Sequence, residues 1–297
     1  MSPTYGAVVR PIKHPEFYAN VHMVEIQIDN TLFRVDINGL RRQAKVLEDV
    51  FSIPPSVVAG QPEEGTAENP IQFTGLVTVD DFAAFLTWIG RNDERPVPQD
   101  PQILIAILRV SHMWHAPKAF EDVKYQIEWL NLPHAQMVEL GLQYNIDEWV
   151  TTAIPILVKA PLNTFTDLAV SQIGPTAFRM IAKSRETLTT QRNLIATVPL
   201  LPSDYRPLPH CSSHSRCLHV WKERWIMLVV MEIIHPTRPI PLTSIPGLIT
   251  ASAYPGMTPH CKEDFVRLML ASQRLGVEEK IWDGTVDAIL RHYNILA

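Results

Sequence analysis

The sequence predicts an α+β protein, in which a small sheet with packed helices is followed by a mostly α-helical C-terminal region. Two short segments near the N-terminus, residues 24–28 and 32–37, alternate apolar and polar side chains as strands do. After residue 133 no segment alternates, and apolar residues recur at helical spacing. Many of the 25 prolines in the 297 residues fall between these helical segments, so they mark connectors.

The first elements form a hairpin followed by short helices. Asp29 and Asn30 supply turn chemistry between the two strands. Apolar residues in 40–51 are three or four positions apart, which predicts one helix or two short consecutive helices. Residues 53–69 are polar and rich in turn formers, so we expect an exposed loop there.

Next, the sequence predicts a short strand at 71–73 and a helix that begins after Thr78. Asp80 and Asp81 lie in the first turn of that helix, where the helix dipole by itself accounts for two carboxylates. The periodicity predicts further helices near 104–114, 120–130, 135–144, 147–158, 166–173, 175–192, 212–234, 261–275 and 279–293.

Composition changes along the chain predict its domains. An N-terminal extension covers residues 1–20, the first domain covers 21–132, and a helical region covers 133–193. A helical C-terminal region, 194–297, begins with a proline-rich connector.

Charge and hydropathy exclude two classes of partner. The 26 basic residues are dispersed and outnumbered by 31 acidic ones, so we expect no direct contact with nucleic acid. The longest apolar run, residues 225–231, is far below the ~18 residues of a membrane span. No signal peptide is visible at the N-terminus, so we expect an intracellular protein of the nucleus or cytoplasm.

Several segments are similar to those of one known family. They are HPEFY (14–18), DNTLFRV (29–35), VLEDVFSIP (46–54), ENPIQFTGL (68–76), VDDFAAFLTWI (79–89) and CSSHSRCLHVWKERW (211–225). With the order of elements, they resemble the BTB/POZ domain proteins of the fungal, mushroom-type group, whose core the resemblance places at 17–130. The chain departs from that pattern at Asp36, where family members commonly carry a histidine.

The resemblance implies a non-enzymatic protein-interaction module. BTB domains typically form homodimers and recruit other proteins, among them transcriptional co-regulators. Phe17, Tyr18 and Leu40 are the apolar side chains that we expect at such an interface, and ordinary packing in the core is the competing interpretation for each of them. The alternative is a substrate-receptor adaptor for a cullin-type ubiquitin ligase, which would form a stable complex with a cullin.

Cysteine and histidine residues in the last third predict a candidate metal site. Cys211, His214 and Cys217 lie close together, and Cys261 follows some forty residues later. Three thiols and an imidazole are ligands that favour one structural zinc ion over calcium or magnesium. The spacing is not that of a standard zinc finger, and buried inert thiols are the competing interpretation. The odd number of cysteines, 3, argues against a disulfide framework.

Catalysis finds little support in the sequence. The chain contains no G-x-S-x-G elbow, no phosphate-binding glycine motif and no H-E-x-x-H metalloprotease motif. A hydrolase that uses Cys217 or Ser212 as its nucleophile is the third hypothesis, and it predicts that one of these side chains reacts with active-site probes.

Overall fold

A computed structural model of the chain describes residues 22–53, 62, 64–73, 75, 77–91, 99–199, 211–236 and 238–295. It is a mixed α and β structure, dominated by helices, with a three-stranded sheet, which confirms the predicted fold class. The chain divides into two compact units, Met1–Asn131 and Leu132–Ala297, beside the boundary predicted at residue 132. No helix in the described part of the chain is long and apolar enough to cross a membrane.

The sheet lies in the first unit. Its strands are β1 (Met23–Ile28), β2 (Thr31–Asp36) and β3 (Ile71–Gln72), in the order β2-β1-β3. β1 and β2 form the predicted antiparallel hairpin, with Asp29 at φ 49° in its turn. β3 pairs in parallel with β1, so that Ile71 lies opposite Ile26. The side chains of β1 alternate as the sequence predicts, and its buried residues are Val24, Ile26 and Ile28.

The described part of the first unit also contains five helices. They are α1 (Ile37–Gln43), α2 (Lys45–Val50), α3 (Val79–Ile89), α4 (Pro101–Met113) and α5 (Pro117–Glu128). The pattern over 40–51 resolves into two helices because Ala44 is extended, at φ −129° and ψ 114°. The backbone N–H groups of Lys45 and Val46 donate to the carbonyls of His115 and Trp114, which fixes this break against the turn between α4 and α5.

The start of α3 corrects one prediction. Thr78 caps the helix, since its hydroxyl accepts from the backbone N–H of Asp81 at 3.2 Å. The Asp81 carboxylate is buried, and both of its oxygens accept from Arg109 Nη1, at 2.9 and 2.8 Å. The helix dipole is therefore not the whole reason for an acidic residue at this position.

Of the three residues predicted for an interface, Leu40 lies in the described part of the chain. Its side chain is only 1% exposed and belongs to the core of the first unit. Leu40 therefore agrees with the core interpretation in this conformation. Phe17 and Tyr18 lie outside the described residues.

The second unit is entirely helical where it is described. Its helices are α6 (His134–Tyr144), α7 (Asp147–Lys159), α8 (Asp167–Ile173), α9 (Pro175–Thr197), α10 (His214–Trp225), α11 (Met231–Ile233), α12 (Ile245–Ala251), α13 (Pro259–Ala271) and α14 (Val277–His292). Short 3₁₀ turns occur at Leu162–Thr164, Leu242–Ser244 and Arg274–Gly276, and a π-helical turn, Ile226–Val230, joins α10 to α11. The sequence predicted the longer helices but neither α12 nor the π-helical turn.

Two hydrophobic cores fill the second unit. The α6–α7 core is formed by buried residues of α6, α7, α8, α9 and α14, among them Val138, Val150, Ile154, Ile181 and Ile289. The α10–α13 core is formed around α10, α12 and α13, and its buried residues include Trp221, Trp225, Val229, Ile245 and Phe265. Helix α9 contributes to both, since its C-terminal Ile195 lies in the α10–α13 core.

A buried ion pair connects the elements around the α10–α13 core. Glu278, at 2% exposure, accepts from Arg192 Nη2 through one oxygen and from the backbone N–H of Leu242 through the other, at 3.0 Å. Arg192 Nη1 also donates to the carbonyl of Ile233 at 3.0 Å. One pair of side chains thus connects α9, α11, the turn before α12 and α14.

Candidate metal centre

Three of the four predicted ligands converge where two helices begin. Cys211 lies just before α10, His214 is its first residue, and Cys261 lies in the first turn of α13. Their ligand atoms all lie within 4.8 Å of one another, and Cys261 Sγ is 3.5 Å from His214 Nδ1. This cluster can bind a metal ion.

Cys217, the fourth predicted ligand, lies beside this cluster. It is one turn further along α10, is only 1% exposed, and places its Sγ 3.7 Å from Cys211 Sγ. The same sulfur lies 3.9 Å from the hydroxyl of Thr258. Cys217 is not part of the set of three whose ligand atoms are all mutually close. The fold therefore brings all four residues to one place, with Cys217 at the edge.

The distances agree with the dimensions of a tetrahedral zinc site. Zinc–sulfur bonds of about 2.3 Å and zinc–nitrogen bonds of about 2.0 Å place two sulfurs about 3.8 Å apart, and a sulfur and a nitrogen about 3.5 Å apart. The observed separations are 3.7 Å for Cys211 and Cys217, and 3.5 Å for Cys261 and His214. These are two of the six separations that four ligands would have, and Cys217 lies outside the set of three whose ligand atoms are all within 4.8 Å of one another.

The thiols differ in their tendency to ionise. The backbone N–H of Ser213 donates to Cys211 and lowers the pKa of its thiol. Burial raises the pKa of Cys261 to about 11, so this thiol is protonated at neutral pH. A coordinated cation would deprotonate it, and binding would release a proton. The N-termini of α10 and α13 also favour negative charge at this point.

Aromatic side chains form the inner wall of the site. The His214 ring meets Phe265 edge to face, at 5.8 Å between centroids. Phe265 in turn contacts Trp221 at 5.2 Å, and Trp221 stacks on Tyr254 at 5.9 Å. The cluster is therefore continuous with the α10–α13 core, and it joins the start of α10 to the start of α13.

Two neighbouring histidines in the described part of the chain, His219 and His260, do not join the cluster. His219 lies on α10 outside the set of mutually close ligand atoms. The side chain of His260 is 86% exposed, and its Nδ1 lies 3.9 Å from a carboxylate oxygen of Glu263. These two residues are therefore suitable controls for metal binding.

An exposed aromatic pair on α5 was not anticipated from the sequence. Tyr125 is 61% exposed, and Trp129, which follows the end of the helix, is 70% exposed. Their rings meet at 6.0 Å between centroids, tilted by 70°. The sequence did contain a signal for this pair, because neither residue belongs to the apolar stripe of α5. That stripe consists of Ala119, Val123 and Ile127, and it is fully buried.

The chain matches no protein-family model, no curated protein and no solved structure. What it does is therefore inferred from its own side chains and their contacts.

Proposed function

We propose that the chain is a non-enzymatic protein-interaction module of the BTB/POZ type, which self-associates through its first unit and recruits other proteins. The order of elements supports this proposal. A hairpin is followed by two short helices, a third strand and three further helices, which is the order that the resemblance to this family implies.

The exposed pair Tyr125 and Trp129 is the observation that carries the proposal. The opposite face of α5 is buried through Val123 and Ile127, so the helix cannot rotate to cover the two rings. Trp and Tyr are the residues most enriched at interface hot spots, and an exposed pair of large aromatics is costly to leave in water. A second copy of the chain is the occupant that we propose, since most soluble oligomers are symmetric dimers.

Light scattering of the full chain tests self-association. We expect a mass twice the 33.6 kDa of one chain. The variant Trp129→Ala should raise the dimer dissociation constant about a thousandfold, because a symmetric dimer loses two hot spots of about 2 kcal/mol each. Leu168→Ala is the matched control, because Leu168 is 68% exposed on α8 and should leave the dimer unchanged. A wild-type chain that is monomeric at every concentration would overturn the proposal.

We further propose that Cys211, His214, Cys217 and Cys261 bind one structural zinc ion. The agreement of two ligand separations with a tetrahedral site supports this, as does the burial of Cys217 and Cys261. The ion would stabilise the charged form of the buried thiols and would link α10 to α13. With four protein ligands the site would be closed, which is typical of structural zinc and not of catalytic zinc.

Elemental analysis of protein purified without a polyhistidine tag tests the zinc proposal. We expect one equivalent of zinc, which Cys211→Ser and Cys261→Ser lose and which the control variants His219→Ala and His260→Ala retain. Cys217→Ser examines the fourth ligand and should also weaken binding. Protein that lacks zinc, and whose melting temperature chelation leaves unchanged, would contradict the proposal.

A further inference from the structure

Helices α9 and α14 enclose a groove on the surface of the second unit. Its volume is about 530 Å³, and both helices line it with residues at the same helical spacing. Arg179 and Lys183 come from α9, and Lys280 comes from α14. The described residues that line the groove include these three cations and no carboxylate.

Small and apolar residues complete the lining, and we call Met180 of α9 with Gly284 and Ala288 of α14 the floor of the groove. Thr285 Oγ1 lies 2.6 Å from Ser184 Oγ, and both residues also line the groove, so the two helices are hydrogen-bonded to each other along it. The groove is therefore a feature of two packed helices and needs no rearrangement to admit a ligand.

Gly284 is a residue that folding does not require. It lies in the middle of α14, where glycine is less favourable than alanine. A Cβ atom at this position would meet nothing within 4 Å, so no contact within the chain requires glycine here. The glycine does leave the floor of the groove open.

We propose that this groove binds an acidic segment of a partner protein, with carboxylates directed at Arg179, Lys183 and Lys280 and apolar side chains on the floor. Charge complementarity is the basis for this choice of partner. The carboxylates adjacent to lining residues along these helices, Glu186 of α9 and Glu279, Asp283 and Asp287 of α14, are not among the residues that line the groove. The cationic rim thus faces the groove without an acidic residue in its lining.

This inference deepens the proposed recruitment of partners and rests on that function, but it uses a different surface. Tyr125 and Trp129 belong to the first unit, whereas the groove belongs to the second. The two proposals can therefore fail separately: Trp129→Ala tests self-association, and variants of the groove test peptide binding.

Selection of peptides from a random dodecapeptide display library on the full-length chain tests the inference. We expect the bound peptides to be enriched in Asp and Glu over the input library. Fluorescence anisotropy with a selected peptide should show binding that weakens as salt is raised, because the rim is exposed to solvent. The double variant Arg179→Glu with Lys183→Glu should bind at least about tenfold more weakly, whereas Lys222→Glu, an exposed control on α10, should bind as the wild type does.

Gly284→Trp supplies a second, independent test. The side chain would fill the floor of the groove, and replacement of a helical glycine should not lower the melting temperature. We expect the selected peptides to lose binding to this variant while circular dichroism shows the same fold. Selection without acidic enrichment, or peptides that bind Gly284→Trp as tightly as the wild type, would overturn the proposal.

Discussion

The α6–α7 core and the α10–α13 core lie in the same unit and share α9, but different interactions hold their helices together. In the α6–α7 core the helices are joined by short turns and pack closely, as at Gly141, where a Cβ atom would come within 2.8 Å of Val150 Cγ2. The α10–α13 core includes α11, of three residues, and α12, of seven residues, and proline-containing connectors lead to and from α12. Polar contacts cross it, among them the pair Arg192 and Glu278 and the cysteine–histidine cluster.

The difference shows how short helices can be held in one arrangement. A helix of three or seven residues buries little apolar surface and is marginal by itself, so its position depends on tertiary contacts. Directional contacts such as a buried ion pair or a metal centre fix that position where close packing alone does not. Perturbing each core in turn separates the two modes of stabilisation.

Removal of the proposed zinc ion should have the largest effect, and only on one core. A chelator should lower the local stability of the α10–α13 core by about 4 kcal/mol or more, because the free energy of metal binding is lost. Hydrogen exchange should then become faster at Trp221 and Val229 while Val150 and Ile154 stay protected. Cys261→Ser should be insensitive to the chelator, and equal loss of protection in both cores would contradict the comparison.

Glu278→Gln should destabilise the protein by about 3 kcal/mol, since the substitution leaves the buried Arg192 without its charged partner. Urea unfolding measures this change. The adjacent Glu279 is exposed, so Glu279→Gln is the matched control and should change stability by less than about 0.5 kcal/mol. Similar changes in the free energy of unfolding for the two variants would show that the buried pair does not stabilise this core.

Gly141→Ala tests the close packing of the α6–α7 core. The new methyl group would collide with Val150 and with the carbonyl of Ile146, so we expect a loss of about 2 kcal/mol. Gly247 in α12 is also helical, but a Cβ atom there would meet nothing within 4 Å, so Gly247→Ala should stabilise by about 0.5–1 kcal/mol. Thermal melting of both variants measures these two changes in stability. If Gly141→Ala stabilised the protein, the α6–α7 core would not be closely packed at this position.

Tyr254→Phe should have the smallest effect, and only at alkaline pH. Burial in the α10–α13 core raises the pKa of Tyr254 from 10.0 to about 12. The unfolded chain therefore releases this proton at lower pH than the folded chain, and stability falls as pH rises from 10 toward 12. Urea titrations at several pH values across this range should show that the free energy of unfolding falls more steeply for the wild type than for Tyr254→Phe. An equal fall for the two proteins would show that Tyr254 is not its cause.

Much of the fold could be predicted because it depends on local patterns. Alternation in β1, the Thr78 cap and the prolines between helices are each visible within a few residues. The π-helical turn at Ile226–Val230 was not visible, since a continuous apolar run has no periodicity that separates a π-helical from an α-helical turn. The sequence also left two interpretations open for Leu40, because an apolar residue on a helix has the same pattern at an interface as in a core.

The sequence by itself determined the chemistry of the candidate site, since the thiols and the imidazole that favour zinc are given by residue identity. Only the tertiary structure decided that they meet: His214 and Cys261 are 47 positions apart, and their convergence depends on how α10 packs against α13. The same holds for the groove between α9 and α14, where Lys183 and Lys280 are distant in sequence. Residue types and local periodicity can be read directly from the sequence, whereas ligand distances and surface grooves depend on contacts between segments that are distant in the sequence.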